Sequence, residues 1–160
     1  MNLAGRCVLP GLIDTHVHST VVDRESLPEF LAAGVTSAGD VGANLDKVLA
    51  LRSDLTSGAQ LGPRLYVCGP LLDGARPSFS PRSPLCEILD FVPTVEDVPD
   101  KVQSILDTGG DGVKLYFTLP PETAKAIIQY VEGRVPVTGH LGYTHSMDVI
   151  EASIDGLEHI

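Results

Sequence analysis

The 160-residue sequence has no tryptophan, only three cysteines and no long apolar run. Gly, Pro or a charged residue interrupts each apolar stretch before the roughly 20 residues that a membrane-spanning helix requires. The segment Met1–Leu12 lacks the apolar run and cleavage site of a secretory signal. Cys7, Cys68 and Cys86 match neither a disulfide framework nor a CxxC metal motif. We therefore expect reduced thiols, a cytoplasmic protein and no membrane partner.

Basic residues are also few. Lys and Arg number 11 against 21 Asp and Glu, which gives a formal net charge of -10 at pH 7. A nucleic-acid or anionic membrane surface requires a basic patch, so neither is an expected partner. The chain is 43% hydrophobic and 20% charged, which is the composition of a globular domain and excludes a disordered or collagen-like chain.

Short runs rich in Val, Ile and Leu alternate with longer amphipathic stretches, a pattern typical of a parallel sheet built from β-α units. The predicted strands are Gly11–Val17, Val35–Gly39, Arg64–Cys68, Gly112–Phe117, Val135–His140 and Gly156–Ile160. The predicted helices are Ser26–Ala33, Asn44–Leu55, Thr94–Asp107, Pro121–Glu132 and Ser146–Ser153. The Pro-, Ser- and Gly-rich stretch Gly69–Pro93 is predicted to be one long loop, either solvated or part of a substrate lid.

Six β-α units in series fit either an open doubly wound sheet or part of a (β/α)8 barrel. A complete barrel commonly needs about 250 residues, so this chain cannot close one by itself. The positions of the polar residues on the strands must therefore decide between the two architectures.

Four histidines and one lysine lie at or near the carboxyl ends of predicted strands. His16 and His18 alternate on the first strand and so project to the same side, where two imidazoles can share one metal ion. His140 ends the fifth strand and His159 lies in the sixth. Lys114 lies inside the apolar fourth strand, where a buried ammonium is costly unless it is paired, modified or deprotonated. Barrel enzymes build their sites at these strand ends, and the set predicts a metal site.

These segments resemble the amidohydrolase superfamily of metal-dependent hydrolases. Val8–His18 (VLPGLIDTHVH) resembles its first barrel strand, and Ala33–Ser37 (AGVTS) resembles its second. Gly110–Lys114 (GDGVK) and Asp155–His159 (DGLEH) resemble its fourth and sixth strands. The resemblance is to the imidazolonepropionase-like and prolidase-like branch, and it implies strands 1 to 6 of a TIM (β/α)8 barrel.

The resemblance also implies ligands and a reaction. His16 and His18 would bind one divalent metal ion, and His140 and His159 a second. Lys114, carboxylated by CO2 to a carbamate, would bridge them. Zinc suits these ligands. Two such ions activate a hydroxide and polarise a carbonyl, which implies hydrolysis of an amide or other C–N bond in a small molecule or dipeptide.

Two parts of the family pattern are missing. The family has an Asp on strand eight that binds metal and transfers protons, whereas this sequence stops at Ile160. Residues 1–10 match only a remnant of the family's N-terminal β-sandwich, and residues 11–160 an incomplete barrel. We therefore expect this chain to be a piece of a longer enzyme and to hydrolyse its substrate slowly or not at all. A missing C-terminal segment or a second copy of the chain could complete the barrel.

Other polar residues are weaker candidates. Tyr116, Tyr143 and His145 lie where they could contact substrate, and His145 could also act in catalysis; packing or the start of a helix would explain them equally. Asp40 is predicted to be a hydrogen-bond acceptor in a turn or beside the site. Asp14 and Glu158 adjoin ligands but alternate away from them, so we expect them to support the ligands or pack against helices.

Two other functions stay open. The chain could be a non-catalytic fragment that binds metal or oligomerises through open sheet edges. It could also be a deaminase of the same superfamily with a single metal, although Lys114 argues against it.

Overall fold

The computed structural model describes residues 4–21 and 24–159. Its strands are β1 (Leu12–Val17), β2 (Val35–Asp40), β3 (Arg64–Val67), β4 (Leu71–Asp73), β5 (Leu89–Phe91), β6 (Val113–Leu115), β7 (Val137–Gly139) and β8 (Gly156–Leu157). Its α-helices are α1 (Leu27–Ala32), α2 (Leu45–Ser57), α3 (Val98–Thr108), α4 (Pro121–Val131) and α5 (Ser146–Glu151). All six predicted strands and all five predicted helices are present, with ends that differ by a few residues.

The strands form two parallel sheets, and the chain passes from the first to the second between β3 and β4. The order is β1-β2-β3 in the first sheet and β5-β4-β6-β7-β8 in the second. β3 pairs with β2, whereas β4, only a few residues further along, pairs with β6. The strand predicted at Arg64–Cys68 therefore continues, after a short interruption, as β4. Together these pairings align β1, β2, β3/β4, β6, β7 and β8 in the order of the predicted units.

The hydrophobic core lies in two clusters between the sheets and the helices. In one, Val48 and Leu51 of α2 pack against Leu65 and Val67 of β3. The other cluster joins α3, α4 and α5 to the second sheet through Leu72, Val102, Val113, Leu115, Ile127, Val137 and Val149. Helices thus cover one side of each sheet.

Local sequence signals explain several helix ends. The Asn44 side chain accepts a hydrogen bond from the backbone N–H of Lys47 and so caps the start of α2, which was predicted to begin at Asn44. Thr94 and Asp97 form a capping box around a 3-10 turn, so the α-helix itself begins four residues later than Thr94, at Val98. Gly58 and Gly109 end their helices with φ of 79° and 107°, in the left-handed conformation that favours glycine.

The prediction of one loop over Gly69–Pro93 was wrong. The segment contains β4, a 3-10 helix at Pro84–Ile88, and β5. Leu71 and Leu72 are 1% and 0% exposed, so these two leucines gain enough burial to form a strand despite the surrounding Pro and Gly. The rest of the segment, residues 74–83, is irregular. In the described ranges no helix combines the length and apolar character needed to cross a membrane.

Candidate metal centre

The five predicted ligands lie near the carboxyl ends of four strands. His16 is in β1 and His18 just beyond it, while Lys114 is in β6. His140 directly follows β7, and His159 lies two residues after β8. The predicted strands had extended through both of these last two histidines, and Ile160, the predicted end of the last strand, is outside the described residues.

The histidine rings form one cluster. The ring centroids of His16 and His18 are 5.4 Å apart, and those of His16 and His159 are 4.6 Å apart. The ring of His140 lies 4.5 Å from that of His159. Histidines from the first, fifth and sixth predicted strands therefore meet, although β1 and β8 share no backbone pairing among the described residues.

A bulge in β1 shapes the site. Asp14 pairs with Ala38 and Val17 pairs with Asp40, so three steps along β1 oppose two along β2. An extra residue of this kind redirects the side chains around it. The Asp14 carboxylate accepts the backbone N–H of His16 at 3.1 Å, which holds the bulged segment.

A backbone carbonyl group orients the ring of His18. Its Nδ1 lies 2.8 Å from the carbonyl oxygen of Gly42. A Cβ at position 42 would lie 2.9 Å from that ring, so glycine is needed there for this close approach. A carbonyl only accepts hydrogen bonds, so Nδ1 donates and the Nε2 lone pair is free for a metal.

Asp40 binds the backbone next to His18 and the backbone of Gly42, the two partners in this contact. The side chain is 0% exposed and accepts hydrogen bonds from the N–H of Ser19 at 2.7 Å, from the Ser19 hydroxyl and from the N–H of Gly42 at 3.1 Å. The prediction that Asp40 is a supporting acceptor is confirmed.

The Nδ1 atom of His16 also has a hydrogen-bond acceptor, the carboxylate of Glu158. Its Nδ1 lies 2.6 Å from Oε2 of Glu158, whose Oε1 accepts the Thr138 hydroxyl at 2.7 Å. Burial raises the pKa of Glu158, but hydrogen bonds from Thr138 and His16, with the charges of Lys114 and His16, outweigh it, so the pKa lies below its ordinary value. The expectation that Glu158 supports a ligand is confirmed by this contact with His16, but its side chain does not follow the strand alternation from which that expectation started. Strict alternation fails here because β8 ends at Leu157 and His159 has a positive φ of 58°.

Lys114 is the most deeply buried member of the group. It is 1% exposed, and its Nζ has no hydrogen-bond partner among the described residues. Oε1 of Glu158 is 3.8 Å away, which makes an ion pair but is too long for a hydrogen bond. Burial lowers the pKa of Lys114, and the charge of Glu158 offsets part of that effect. A buried amine without a partner is suited to a further ligand or modification.

Burial and neighbouring residues of the cluster shift the pKa of His140. Burial lowers its pKa, and the neighbouring His159 and Lys114 lower it further. The ring of Tyr116 packs edge-on to His140 at 5.4 Å, and Phe79 from the irregular segment lies 5.7 Å from Tyr116. Tyr116 therefore lies beside the predicted ligands. Nothing in the sequence signalled the approach of Phe79.

The other two candidates lie outside the cluster. Tyr143 is 61% exposed, and its backbone N–H donates to the carbonyl of Phe117. His145 is exposed, and its Nδ1 accepts the N–H of Met147 at the start of α5. The structure thus gives His145 a helix-capping contact, the structural alternative to a catalytic one.

A cavity of about 450 Å³ adjoins the cluster. It is lined mainly by apolar groups of β1, β2, β3, β7 and β8, and its wall includes Glu158, Thr138 and Cys68. The histidine rings are not part of the lining. Glu158 therefore separates the histidine cluster from the cavity.

The donor set fits divalent metal ions in chemical type. His16 and His18 each have Nδ1 engaged by an acceptor, and Lys114 provides a buried amine without a hydrogen-bond partner. Within residues 4–21 and 24–159, no three His, Cys, Asp or Glu side chains are arranged to hold a metal ion as they stand. The assignment of ligands therefore stays a prediction.

Comparison with known proteins supports the resemblance found in the sequence. A model described as the amidohydrolase family matches residues 7–159. Bottromycin amidohydrolase is 26% identical with a TM-score of 0.75, and the match covers 94% of this chain and 32% of that one. A prolidase solved with N-methylphosphonate-L-proline is 21% identical with a TM-score of 0.72, covering 94% and 47%. Ochratoxinase from A. niger is 21% identical with a TM-score of 0.73, also covering 94% and 47%.

These matches show the fold class. The chain is a partial (β/α)8 barrel and spans between about a third and a half of the length of these three structures. No curated protein matches the sequence.

Proposed function

The chain belongs to the amidohydrolase family, and we propose that it carries most of the metal site of a hydrolase that cleaves an amide or other C–N bond in a small molecule or dipeptide. The names of its structural neighbours, an amidohydrolase and a prolidase among them, support this reaction class. The observation that carries the proposal is a cluster of histidine rings beside the half-buried Glu158 carboxylate, which also lies 3.8 Å from the buried amine of Lys114.

We assign His16 and His18 to one ion, His140 and His159 to a second, and Lys114, as a carbamate, to the bridge between them. A neutral lysine amine that adds CO2 gains two oxygens, which oxygen-seeking and borderline ions such as Zn²⁺ accept. When bound, two divalent ions would polarise the scissile carbonyl and activate water.

The protein's own residues have three roles in this proposal. Asp40 and Gly42 hold His18, Glu158 and Thr138 hold His16, and burial keeps the Lys114 amine away from bulk water. We assign a substrate contact to Tyr116, which is supported by the packing of its ring against His140. Tyr143 and His145 lie further out, and a substrate contact from either needs a substrate that extends along the surface.

Native mass spectrometry of the chain, incubated with Zn²⁺ and bicarbonate, tests the assignment. We expect two metal ions and one CO2 per chain, and Lys114→Ala should lose the CO2 and at least one ion. Lys125→Ala, which changes an exposed lysine of α4, is the matched control and should keep both. A single ion without CO2, unchanged in Lys114→Ala, would contradict the binuclear site and favour a site with one metal.

Metal-dependent hydrolysis is tested with Xaa-Pro dipeptides and N-acyl amino acids by following release of the free amine. We expect any release to depend on added Zn²⁺ and to stop with a chelator. Release that a chelator leaves unchanged would contradict the proposal. The same mass spectra report the number of chains per particle, and so whether a second copy is present.

A further inference from the structure

Glu158 contacts more of the cluster than any sequence pattern suggested. Its Oε2 lies 2.6 Å from Nδ1 of His16, and its Oε1 receives the Thr138 hydroxyl at 2.7 Å and lies 3.8 Å from Nζ of Lys114. It is half-buried, with a side chain 20% exposed. One carboxylate therefore contacts a side chain from β1, one from β6 and one from β7.

We propose that Glu158 is a positioning residue that selects the tautomer of His16 and aims its Nε2 at the metal position. This inference rests on the proposed function, because it assigns a role toward the same site.

Hydrogen-bond chemistry determines which ring nitrogen of His16 carries the proton. An ionised carboxylate only accepts, so the proton shared between Oε2 and the imidazole belongs to Nδ1. A neutral imidazole protonated at Nδ1 has its lone pair on Nε2. A carboxylate behind a ligand histidine in this way also fixes the ring and makes its free nitrogen more basic.

Glu158 is itself held in place. The Thr138 hydroxyl fixes Oε1, and Thr138 lies in β7 directly opposite Lys114 in the parallel register of β6 and β7. The position of the carboxylate is therefore tied to the same pair of strands that positions the lysine. The Nδ1 of His18 donates instead to the carbonyl of Gly42, so the two histidines at the end of β1 are oriented by different acceptors.

The experiment measures the tautomer of His16 directly. In the metal-free chain, two-dimensional ¹⁵N–¹H spectra of the imidazole nitrogens distinguish protonated Nδ1 from protonated Nε2, and His16→Asn identifies the His16 signals. We expect protonated Nδ1 in the wild type and a mixture of both tautomers in Glu158→Ala. Glu158→Gln, whose amide oxygen still accepts, should keep most of the Nδ1 form.

Zinc affinity is the second readout. We expect Glu158→Ala to bind Zn²⁺ about 10 to 100 times more weakly than the wild type, with Glu158→Gln in between. Glu151→Gln, an exposed glutamate of α5, is the control and should match the wild type in both measurements. Backbone amide spectra of each variant establish that it has folded.

The outcomes separate the two proposals. If Glu158→Ala keeps protonated Nδ1 on His16 and wild-type zinc affinity, the positioning role is overturned while the metal site stands. If the wild type binds no zinc, the proposed function fails, and the tautomer of His16 in Glu158→Ala still decides whether Glu158 selects it.

Discussion

The ring of His140 lies 4.5 Å from the ring of His159, although the two residues follow different strands, β7 and β8. The family resemblance proposes that both bind one metal ion, and their proximity is compatible with that proposal. We expect His140→Asn and His159→Asn each to reduce bound zinc from two ions to one, because His16 and His18 still hold the first. Metal analysis of the dialysed proteins measures this, and retention of two ions in either variant would contradict the pairing.

Burial of the Lys114 amine is predicted to cost the metal-free protein stability. Replacing it with methionine removes a buried group whose Nζ has no hydrogen-bond partner among the described residues. We expect Lys114→Met to raise the free energy of unfolding by about 1 kcal/mol, measured by urea denaturation without metal. In Lys125→Met, which breaks an exposed pair with Asp148, the change should be a loss of no more than about 1 kcal/mol. A large loss in Lys114→Met would show that its pair with Glu158 stabilises the fold.

Asp73 is predicted to be essential for the irregular segment after β4. The side chain is 0% exposed and accepts the N–H and hydroxyl of both Ser78 and Thr118, at 2.7 to 2.8 Å. Asp73→Asn replaces one acceptor oxygen with a donor that faces other donors, and we expect a loss of about 2–3 kcal/mol in urea denaturation. Asp46→Asn, in an exposed first turn, should lose less than about 0.5 kcal/mol. Equal stability of the two variants would contradict this role.

Cys68 is predicted to be unreactive in the folded protein. Burial raises the pKa of its thiol from 9.0 to about 12, whereas Cys7 is exposed. Because the thiolate is the reactive form, iodoacetamide at pH 8 should label Cys7 first and Cys68 only in denaturant. Mass spectrometry of digested protein reads each site, and rapid labelling of Cys68 in the folded chain would overturn the prediction.

The same thiol makes stability depend on pH. Above pH 9 the unfolded state loses the Cys68 proton while the folded state keeps it until about pH 12. The unfolded state then binds fewer protons, so the free energy of unfolding falls as the pH rises, by at most about 1.4 kcal/mol per pH unit. Cys68→Ala should lack this slope between pH 9 and 11, and identical slopes would contradict the assignment.

Two substitutions distinguish a helix-capping role of His145 from a catalytic role. If its contact with the N–H of Met147 is its main role, His145→Asn should keep the cap and the stability, and His145→Ala should lose about 1 kcal/mol. Thermal unfolding measures both. A variant that keeps full stability but loses hydrolysis would instead make His145 a catalytic residue.

Much of the fold was predictable because its causes are local. The Asn44 cap, the Thr94 capping box and the glycines that end α2 and α3 all act within a few residues of the helix ends that they stabilise. β4 was missed because its formation depends on pairing with β6 on one side and β5 on the other. That information lies far along the chain, while the nearby Pro and Gly indicate a loop.

Some features of the candidate site were likewise predictable from the sequence, and others were not. The strand-end positions of the four histidines predicted that they come together, and their rings do cluster. Lys114 approaches the cluster through Glu158, which contacts both Lys114 and His16. Alternation along β1 was an incomplete guide, because a bulge interrupts the strand between Asp14 and Val17. The direction of Glu158 could not be predicted, because it depends on the backbone after β8 departing from strand geometry. The approach of Phe79 to Tyr116 depends on how the irregular segment folds around Asp73, which no local pattern determines.

The contact between His16 and Glu158 spans 142 residues of sequence. At a synthesis rate of about 5–20 residues per second, the glutamate is added roughly 7–28 s after the histidine. During that interval His16 is in the nascent chain without its acceptor, and both tautomers of its ring are accessible. The histidine cluster is complete only when β8 docks, so a metal site formed by these residues would be completed late in synthesis of this segment.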